Sequence, residues 1–393
     1  MSSPLAGITV VSLEQAVAAP YATRQLADLG ARVIKVERPG GGDFARHFDE
    51  SVLGQSSYFV WLNRSKESVT LDVKQPAARA VLTELVADAD VFVHNLAPGA
   101  AKRLGVDAEP LRALNDRLVH CTVSGYGTDG PWAHRKAYDL LVQCETGVVA
   151  LTGSEAEMAK VGISIADIAA GMYAYSGILT ALLRRANTGA GGTVEVSLFE
   201  ALAEWMGSPA YYTGYGPHQP ARVGAQHATI APYGPFTSAD GDPVVLAVQN
   251  EREWVALCGT LLGDPAVATD VRFATNSARV RHRVELNALL QKRFDTLGTA
   301  AAIALLDEAG VANGRVNSVA EFLDHPVLAG RNRWRTVGTP NGDITALRPP
   351  ADLDGVTPVM NPIPAPGEHT GRVLRALGRT DDDIAALRAA SAI

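Results

Sequence analysis

The chain has 393 residues, of which 47% are hydrophobic and 20% are charged, and its formal net charge is −7. This composition predicts a folded protein with more than one core, and it argues against general binding of nucleic acids, whose phosphates require a basic surface. The sequence carries neither a run of about 18 apolar residues nor a signal-peptide pattern, so we expect a cytoplasmic protein that does not enter a membrane.

Strand-like apolar runs alternate with helical patterns between Gly7 and Gly189. Such alternation predicts a mostly parallel sheet with helices on its faces, which is the Rossmann-like class of α/β fold. The predicted strands are 8–13, 32–37, 90–94 and 118–124, and the predicted helices are 20–29, 76–86, 111–114 and 167–185. A further strand at 193–198 leads into another helix.

The second half of the chain differs from the first in composition and in its predicted elements. Residues 207–236 are rich in Gly, Pro and Tyr, which predicts a long irregular connection. A smaller unit follows at about 222–325. Its predicted elements are a strand at 244–248 and helices at 254–262, 284–297 and 300–309. A Pro-rich stretch then precedes a helical segment at 368–390.

Polar segments follow several predicted strands, at the edge where ligands bind in open α/β sheets. Arg38 precedes a Gly-rich loop, and its guanidinium suits a phosphate because it can donate to two oxygens at once. Segments 71–74, 95–99 and 102–103 follow in the same way. Together these residues could surround a polyphosphate, although each one alone is typical of an ordinary surface cation or turn residue.

Two patterns bear on cofactors, and neither predicts one. Residues 125–130 have the G-x-G-x-x-G spacing of a dinucleotide-binding loop, but Pro131 follows where a helix should begin. We therefore favour a glycine-rich wall of an active site over a nicotinamide site. The cysteines Cys121, Cys144 and Cys258 lie far apart and outside metal-ligand spacing, which favours a reducing compartment and predicts no metal site.

Asp167 lies at the predicted start of a long helix and is followed by small residues. A helix N-terminus favours negative charge and lowers the pKa of a carboxyl group, so we expect Asp167 to be ionised and able to act as a nucleophile. The alternative is ordinary helix capping. Ser164 with Asp167 three residues later has the spacing of a capping box.

Seven segments, in their order along the chain, connect the sequence to a known family. They are LADLGARVIKVERPGGGD, NRSKESVTLDVK, VFVHNLAPGAAKRLG, SGYG, KAYDLLVQ, ISIADIAAGMYAYSGILTALL and GGTVEVSLFEAL. This set resembles the family III CoA transferases, which include formyl-CoA transferase and alpha-methylacyl-CoA racemase. The resemblance implies acyl exchange between carboxylic acids through an aspartyl acyl-enzyme. CoA is then a substrate, with no permanently bound cofactor and no metal.

The resemblance also assigns roles to single residues. The family's catalytic aspartate falls on Asp167, inside SIADIAAG. Its CoA contacts fall on Arg38, Leu71, Lys74, Asn95, Leu96, Arg103 and Lys136. Val17 stands where formyl-CoA transferase has a glutamine that lines the site for its small acid, which argues against oxalate and formate.

Tyr138 separates two activities found in the family. It stands where the racemase has a histidine that transfers a proton. An unperturbed tyrosine, with a pKa of about 10, is a poor substitute near neutral pH, so a transferase is favoured. A 2-methylacyl-CoA epimerase and a CoA-binding protein without turnover remain the alternatives.

The acceptor acid and the assembly are further expectations. Arg222 or His227 could hold the far carboxylate of a C4 or C5 dicarboxylate, and a structural role in a connection is the alternative for His227. The family resemblance implies an interlocked homodimer. It divides the chain into a Rossmann-like large domain (1–190), a linker (191–221), a smaller α+β domain (222–325), a second linker (326–348) and a part that returns to the large domain (349–393).

Overall fold

The chain divides into two compact units, each built from segments that are separate in the sequence. The structure, a computed structural model, describes residues 3–393. The first unit takes the residues up to Thr146, Gly162–Met206 and Gly330–Ile393. The second unit takes Gly147–Val161 and Gly207–Ala329.

A six-stranded parallel sheet organises the first unit. Its strands are β1 (Thr9–Leu13), β2 (Arg32–Glu37), β3 (Lys66–Thr70), β4 (Val91–His94), β5 (Val119–Ser124) and β6 (Gly192–Ser197). They lie in the order β3-β2-β1-β4-β5-β6, and every neighbouring pair is parallel. This is the doubly wound order of the Rossmann fold, so the predicted α/β class is confirmed. The strand order reverses between β1 and β4, which is the position where ligands bind in such sheets.

Helices cover the sheet and continue through the chain. The first nine are α1 (Ala18–Asp28), α2 (Ser57–Leu62), α3 (Pro76–Ala87), α4 (Ala100–Leu104), α5 (Ala108–Leu114), α6 (Asp139–Glu145), α7 (Val148–Leu151), α8 (Ile165–Thr188) and α9 (Leu198–Trp205). The next are α10 (Gly207–Tyr215), α11 (Glu251–Leu257), α12 (Asn276–Arg281), α13 (Arg283–Phe294), α14 (Thr299–Glu308), α15 (Val319–Leu323), α16 (Pro326–Gly330), α17 (Thr370–Ala376) and α18 (Asp381–Ala389).

The longest helix, α8, packs against α1, α9, β5 and β6. Its buried face consists mainly of small residues, including Ala166, Ala170 and Ala174. Gly171 permits a close approach, because a Cβ at this position would lie 2.6 Å from the Ala18 carbonyl oxygen of α1. By length and composition α8 could also cross a bilayer, but here its apolar residues serve packing within the first unit.

The C-terminal part of the chain covers the edge strand β3. The His369 amide donates to the Ser68 carbonyl at 2.9 Å, and the Thr70 amide donates to the Thr370 hydroxyl at 2.9 Å. Val373, Leu374 and Ile384 of α17 and α18 join the same buried apolar cluster as the strand residues Val11 and Phe92. The edge of the sheet is therefore closed by residues that lie some 300 positions later in the sequence.

The second unit is a small α+β unit. Its antiparallel sheet consists of β7 (Tyr233–Thr237), β8 (Pro243–Ala247) and β9 (Ala312–Arg315), with β8 in the middle. Trp254, Leu286 and Phe294 are fully buried under this sheet, together with Leu306. The rings of Phe236 and Phe294 are stacked, with their centroids 5.2 Å apart.

Three stretches of the chain differ from the sequence prediction. The connection expected to be irregular, 207–236, contains α10 and most of β7, and the expected linker 326–348 contains α16 and the hairpin of β10 (Trp334–Thr339) and β11 (Gly342–Leu347). Pro340 and Asn341 form its two-residue turn, between the paired residues Thr339 and Gly342. The helical segment 368–390 is two helices, because the chain breaks at Gly378 with a φ of +83°.

Candidate active site

The first turn of α8 is capped from another helix. The helix begins at Ile165, and the side chain of its N-cap residue, Ser164, makes no capping hydrogen bond. Instead, the Asp139 Oδ1 atom accepts from the Ala166 amide at 2.8 Å and from the Asp167 amide at 3.4 Å. The capping box that the spacing of Ser164 and Asp167 suggested is therefore not formed, and Asp139 satisfies the free amides of the helix.

The pKa of Asp167 moves in the opposite direction to the one expected from the sequence. Burial raises the pKa of its carboxyl group to about 7, and the negative charge of Asp139 adds to the rise. The helix N-terminus was expected to lower this pKa, but loss of solvent and a second carboxylate outweigh it. A carboxylate with a raised pKa is more basic, and at neutral pH a large fraction of it is still ionised.

Asp139 is a residue of the candidate site that the sequence analysis missed. It is the first residue of α6, and its Oδ2 atom accepts from Gln143 Nε2 at 2.7 Å within that helix. The segment KAYD drew attention to Tyr138, and the contact between Asp139 and α8 joins residues 27 positions apart. A single sequence contains no signal for such a pairing.

The start of α1 lies one helical turn of α8 away from Asp167. A Cβ at Gly171, four residues after Asp167, would lie 2.6 Å from the Ala18 carbonyl oxygen and 3.0 Å from the Tyr21 side chain. Val17 is the N-cap residue of α1 and is 2% exposed. Val17, the predicted substrate contact, therefore directly precedes the residue of α1 that packs against the turn of α8 after Asp167.

Four predicted CoA-binding cations lie after the carboxyl ends of neighbouring strands. Arg38 directly follows β2, Lys74 follows β3, Arg103 lies on α4 after β4, and Lys136 lies in the connection after β5. All four side chains are exposed. Within residues 3–393 none of the four forms an ion pair with a carboxylate. They are available to an anionic ligand at this edge of the sheet.

The other three residues predicted to contact CoA make hydrogen bonds or apolar contacts within the first unit. The Asn95 side chain forms two hydrogen bonds with the main chain of Gln15. Its Oδ1 accepts from the Gln15 N–H at 2.9 Å, and its Nδ2 donates to the Gln15 carbonyl oxygen at 2.8 Å. Leu71 is 1% exposed in the core, so a ligand can reach only its main chain. Leu96 is half-buried and packs on the same apolar cluster.

The connection with the G-x-G-x-x-G spacing closes on itself between β5 and α6. A Cβ at Gly125 would lie 2.3 Å from the Ala137 Cβ, so the two ends of the loop meet. Inside it, the Arg135 guanidinium lies 3.9 Å from the centroid of the Trp132 ring. No helix begins directly after Gly130, since the next one, α6, starts at Asp139, in keeping with the argument against a dinucleotide site. The compact loop delivers Lys136, Tyr138 and Asp139 in succession.

Arg222 and His227, the predicted contacts for a far carboxylate, are engaged within the second unit. The Arg222 guanidinium donates to the carbonyl oxygens of Ala150, Ser154 and Glu155 at 3.2, 2.9 and 3.1 Å. The His227 ring stacks on Tyr233, and its Nδ1 accepts from the Thr229 amide at 3.2 Å. These contacts favour structural roles for both residues.

Tyr138 is 67% exposed, which leaves its phenol in contact with solvent. Among the described residues 3–393, no three His, Cys, Asp or Glu side chains gather in a way that could hold a metal ion.

Comparison with known proteins gives one consistent result. The family model described as CoA-transferase family III matches residues 5–370. The chain is 31% identical over 383 residues to succinyl-CoA:glutarate CoA-transferase of Mus musculus, covering 96% of this chain and 87% of the relative. It is 37% identical over 331 residues to acetyl-CoA:oxalate CoA-transferase of Acetobacter aceti, covering 84% and 85%.

A solved structure resembles nearly the whole chain. The crystal structure of a CAIB/BAIF family protein from Brucella suis superposes with a TM-score of 0.84 at 34% identity. The match covers 96% of this chain and all of the other.

Proposed function

The chain belongs to CoA-transferase family III and is therefore an enzyme that moves CoA from an acyl-CoA to a carboxylic acid. From this premise we propose that Asp167 is its nucleophile and that its acids are C4 and C5 dicarboxylates. The observation that carries the first part is the half-buried carboxyl of Asp167 on the first turn of α8, beside Asp139. The names of relatives that act on glutarate and succinate support the second part.

The reaction proceeds by acyl exchange on one carboxylate. An Asp167 oxygen attacks the thioester carbon, the C–S bond breaks, and CoA leaves as a thiolate with a mixed anhydride left on Asp167. The thiolate attacks the Asp167 carbonyl carbon, which releases the donor acid and forms an aspartyl thioester. The acceptor carboxylate displaces CoA again, and CoA attacks the resulting anhydride at the acceptor's carbonyl carbon. Asp167 returns as a carboxylate, and no proton is consumed overall.

The raised pKa of Asp167 suits this series of reaction steps. The aspartate must attack a thioester, and nucleophilicity increases with basicity, so a carboxylate with a pKa near 7 is better suited than an ordinary one. The side chain and the two substrates supply every group that the steps need. We therefore propose that acyl-CoA is a substrate and that the enzyme has no resident cofactor.

The test of this function is a panel of acids. Succinyl-CoA is incubated with the enzyme and glutarate, itaconate, mesaconate, oxalate or acetate, and new acyl-CoA masses are measured. We expect transfer to the dicarboxylates of four and five carbons, with little transfer to oxalate or acetate. A parallel reaction with 2-methylacyl-CoA in deuterated water measures exchange of the alpha proton. Exchange faster than any transfer would favour the epimerase alternative, since Tyr138 is expected to be a poor proton carrier.

The four cations provide a prediction about CoA affinity. Replacing Arg38, Lys74, Arg103 or Lys136 by Ala should raise the KM for acyl-CoA about tenfold, because each removes a charge that faces the phosphates of CoA. The matched control is Arg32→Ala, an exposed cation at the opposite, amino end of β2 that is paired with Glu67. Arg32→Ala should leave the KM for acyl-CoA unchanged. If the four test substitutions also left it unchanged, the CoA site would lie elsewhere.

The assembly and the compartment belong to the same proposal. Large apolar side chains are exposed along one stretch of the second unit, at Val316, Val319, Phe322, Leu323 and Val327. This exposure supports burial against a second copy of the chain, and we propose the interlocked homodimer that the family resemblance implies. All three cysteines are free, which supports a reducing, cytoplasmic location.

A further inference from the structure

The connection between β1 and α1, residues 14–17, is held by side chains from three neighbouring strands or the segments that follow them. It lies at the point where the strand order of the sheet reverses, and it ends at Val17, the N-cap residue of α1. Ala16 has a φ of +61°, a left-handed conformation that is uncommon for residues other than glycine. Such a conformation persists only where the surroundings enforce it.

A fully buried group of charges fixes the start of this connection. The Lys66 ammonium of β3 lies 2.6 Å from Glu14 Oε1 and also donates to the Pro20 carbonyl of α1 at 3.1 Å. The Thr23 hydroxyl donates to Glu14 Oε2 at 2.6 Å. The Lys35 ammonium of β2 lies 2.7 Å from Asp43 Oδ2 and 3.5 Å from Glu14 Oε1. Two positive and two negative charges are thus balanced without solvent.

The middle of the connection is held through its main chain. Asn95, directly after β4, brackets both the amide and the carbonyl of Gln15. Asp43 Oδ1 accepts from the amide of Ala16 at 3.1 Å and from that of Ala45 at 2.9 Å. Asp43 therefore joins the left-handed residue directly to the buried charges, since its other oxygen is paired with Lys35.

We propose that Asp43 is a positioning residue for CoA transfer, acting by holding Ala16 and thereby Val17 in place beside the turn of α8 that follows Asp167. This inference rests on the proposed role of Asp167. The link runs through Ala18, whose carbonyl lies against Gly171, one turn beyond the nucleophile. Displacing the connection moves the wall against which the acceptor acid must be oriented. A small displacement of such a wall reduces turnover more than it reduces the binding of the distant CoA phosphates.

The experiment separates the hydrogen bond from the charge. Asp43 is replaced in a Lys35→Met background, so that no ammonium group is left buried without its partner. Asp43→Asn in that background retains an oxygen that accepts from Ala16, whereas Asp43→Ala does not. We expect kcat of the Ala variant to be about tenfold lower than that of the Asn variant, with the dissociation constant for CoA equal within about threefold. Hydrogen exchange of the 15–17 amides should be faster in the Ala variant.

A matched control replaces a second buried carboxylate of the same unit. Asp28, at the end of α1, is 1% exposed and accepts from Arg64 at 2.7 and 2.8 Å. Asp28→Asn should lower the melting temperature and leave kcat within about twofold of the wild type, because it does not touch the connection. Equal kcat and equal amide exchange in the Ala and Asn variants of Asp43 would overturn the proposal.

The exchange measurement does not depend on catalysis. If the wild type moved no CoA at all, the proposed role of Asp167 as nucleophile would be wrong. Faster amide exchange in the Ala variant of Asp43 would still show that Asp43 holds the connection. If instead the wild type transferred CoA normally and amide exchange did not differ between the Ala and Asn variants of Asp43, only the positioning role of Asp43 would be wrong.

Discussion

Replacing Asp167 by Asn is expected to lower kcat by several orders of magnitude, while the protein still folds and binds CoA. An amide cannot attack a thioester to form the anhydride, so the first step is lost. In the wild type, an acyl-CoA donor followed by hydroxylamine should convert this one side chain to a hydroxamate. The product is measured as a mass shift on the peptide that contains Asp167.

The control for this substitution is an aspartate at the same position of another helix. Asp383 is the third residue of α18, and it forms a capping box with Thr380 there. Asp383→Asn should leave turnover unchanged. If Asp167 merely supported its helix, Asp167→Asn would resemble this control in activity.

The Asp167→Asn variant should also be more stable than the wild type at alkaline pH. The pKa of Asp167 is raised from 3.8 to about 7 in the folded protein, so between these values the folded state binds more protons than the unfolded state. Its contribution to the free energy of unfolding therefore falls as pH rises through this range. Denaturant unfolding at pH 8.5 should show a gain for Asp167→Asn on the order of 2 kcal/mol, which disappears near pH 4.

Asp139 should control both the shape and the charge of the site, and two substitutions separate these effects. Because Asp167 must be ionised to attack, kcat/KM of the wild type should rise with pH to a plateau above about 7. Asp139→Asn keeps an oxygen for the amides of α8 but removes the charge. The rise in kcat/KM should move to lower pH by about one unit, since a nearby like charge raises a carboxyl pKa.

Asp139→Ala removes the cap as well. The Ala166 and Asp167 amides then lose their acceptor, the first turn of α8 loosens, and kcat should fall about a hundredfold at every pH. A pH profile that is the same in the wild type and in Asp139→Asn would mean that Asp139 acts only as a cap. Circular dichroism and the affinity for CoA distinguish a loosened turn from a protein that fails to fold.

The sequence predicted five of the six strands of the large sheet from their apolar residues. The strands β1, β2, β4, β5 and β6 were located because each contains a run or an alternation of apolar residues. In contrast, β3 has the sequence KESVT and was not predicted. Its Lys66 and Ser68 are buried because Glu14 and Glu37 accept hydrogen bonds from them. Such partners come from other strands, so the local sequence resembles an exposed turn.

For the site, residue type and order along the chain were informative, and the electrostatic environment was not. Asp167 was proposed as the nucleophile from its place at a helix start and from the family segments, and its position on the first turn of α8 agrees with the first of these. The direction of its pKa was predicted wrongly, because the dipole of a helix can be inferred locally whereas burial and the charge of Asp139 cannot. Arg222 illustrates the same limit: a free guanidinium in the sequence is bound to three carbonyl oxygens in the structure.

The closure of β3 by the end of the chain has a consequence for biosynthesis. Strand β3 leaves the ribosome early, but the residues that occupy its open edge, from Gly367 to Ala392, are synthesised about 300 residues later. Throughout that interval the nascent first unit exposes unpaired strand amides and the apolar surface that α17 and α18 later cover. The first unit thus completes its folding after translation of that segment, and a chain interrupted before it would present an edge on which strands of other chains could assemble.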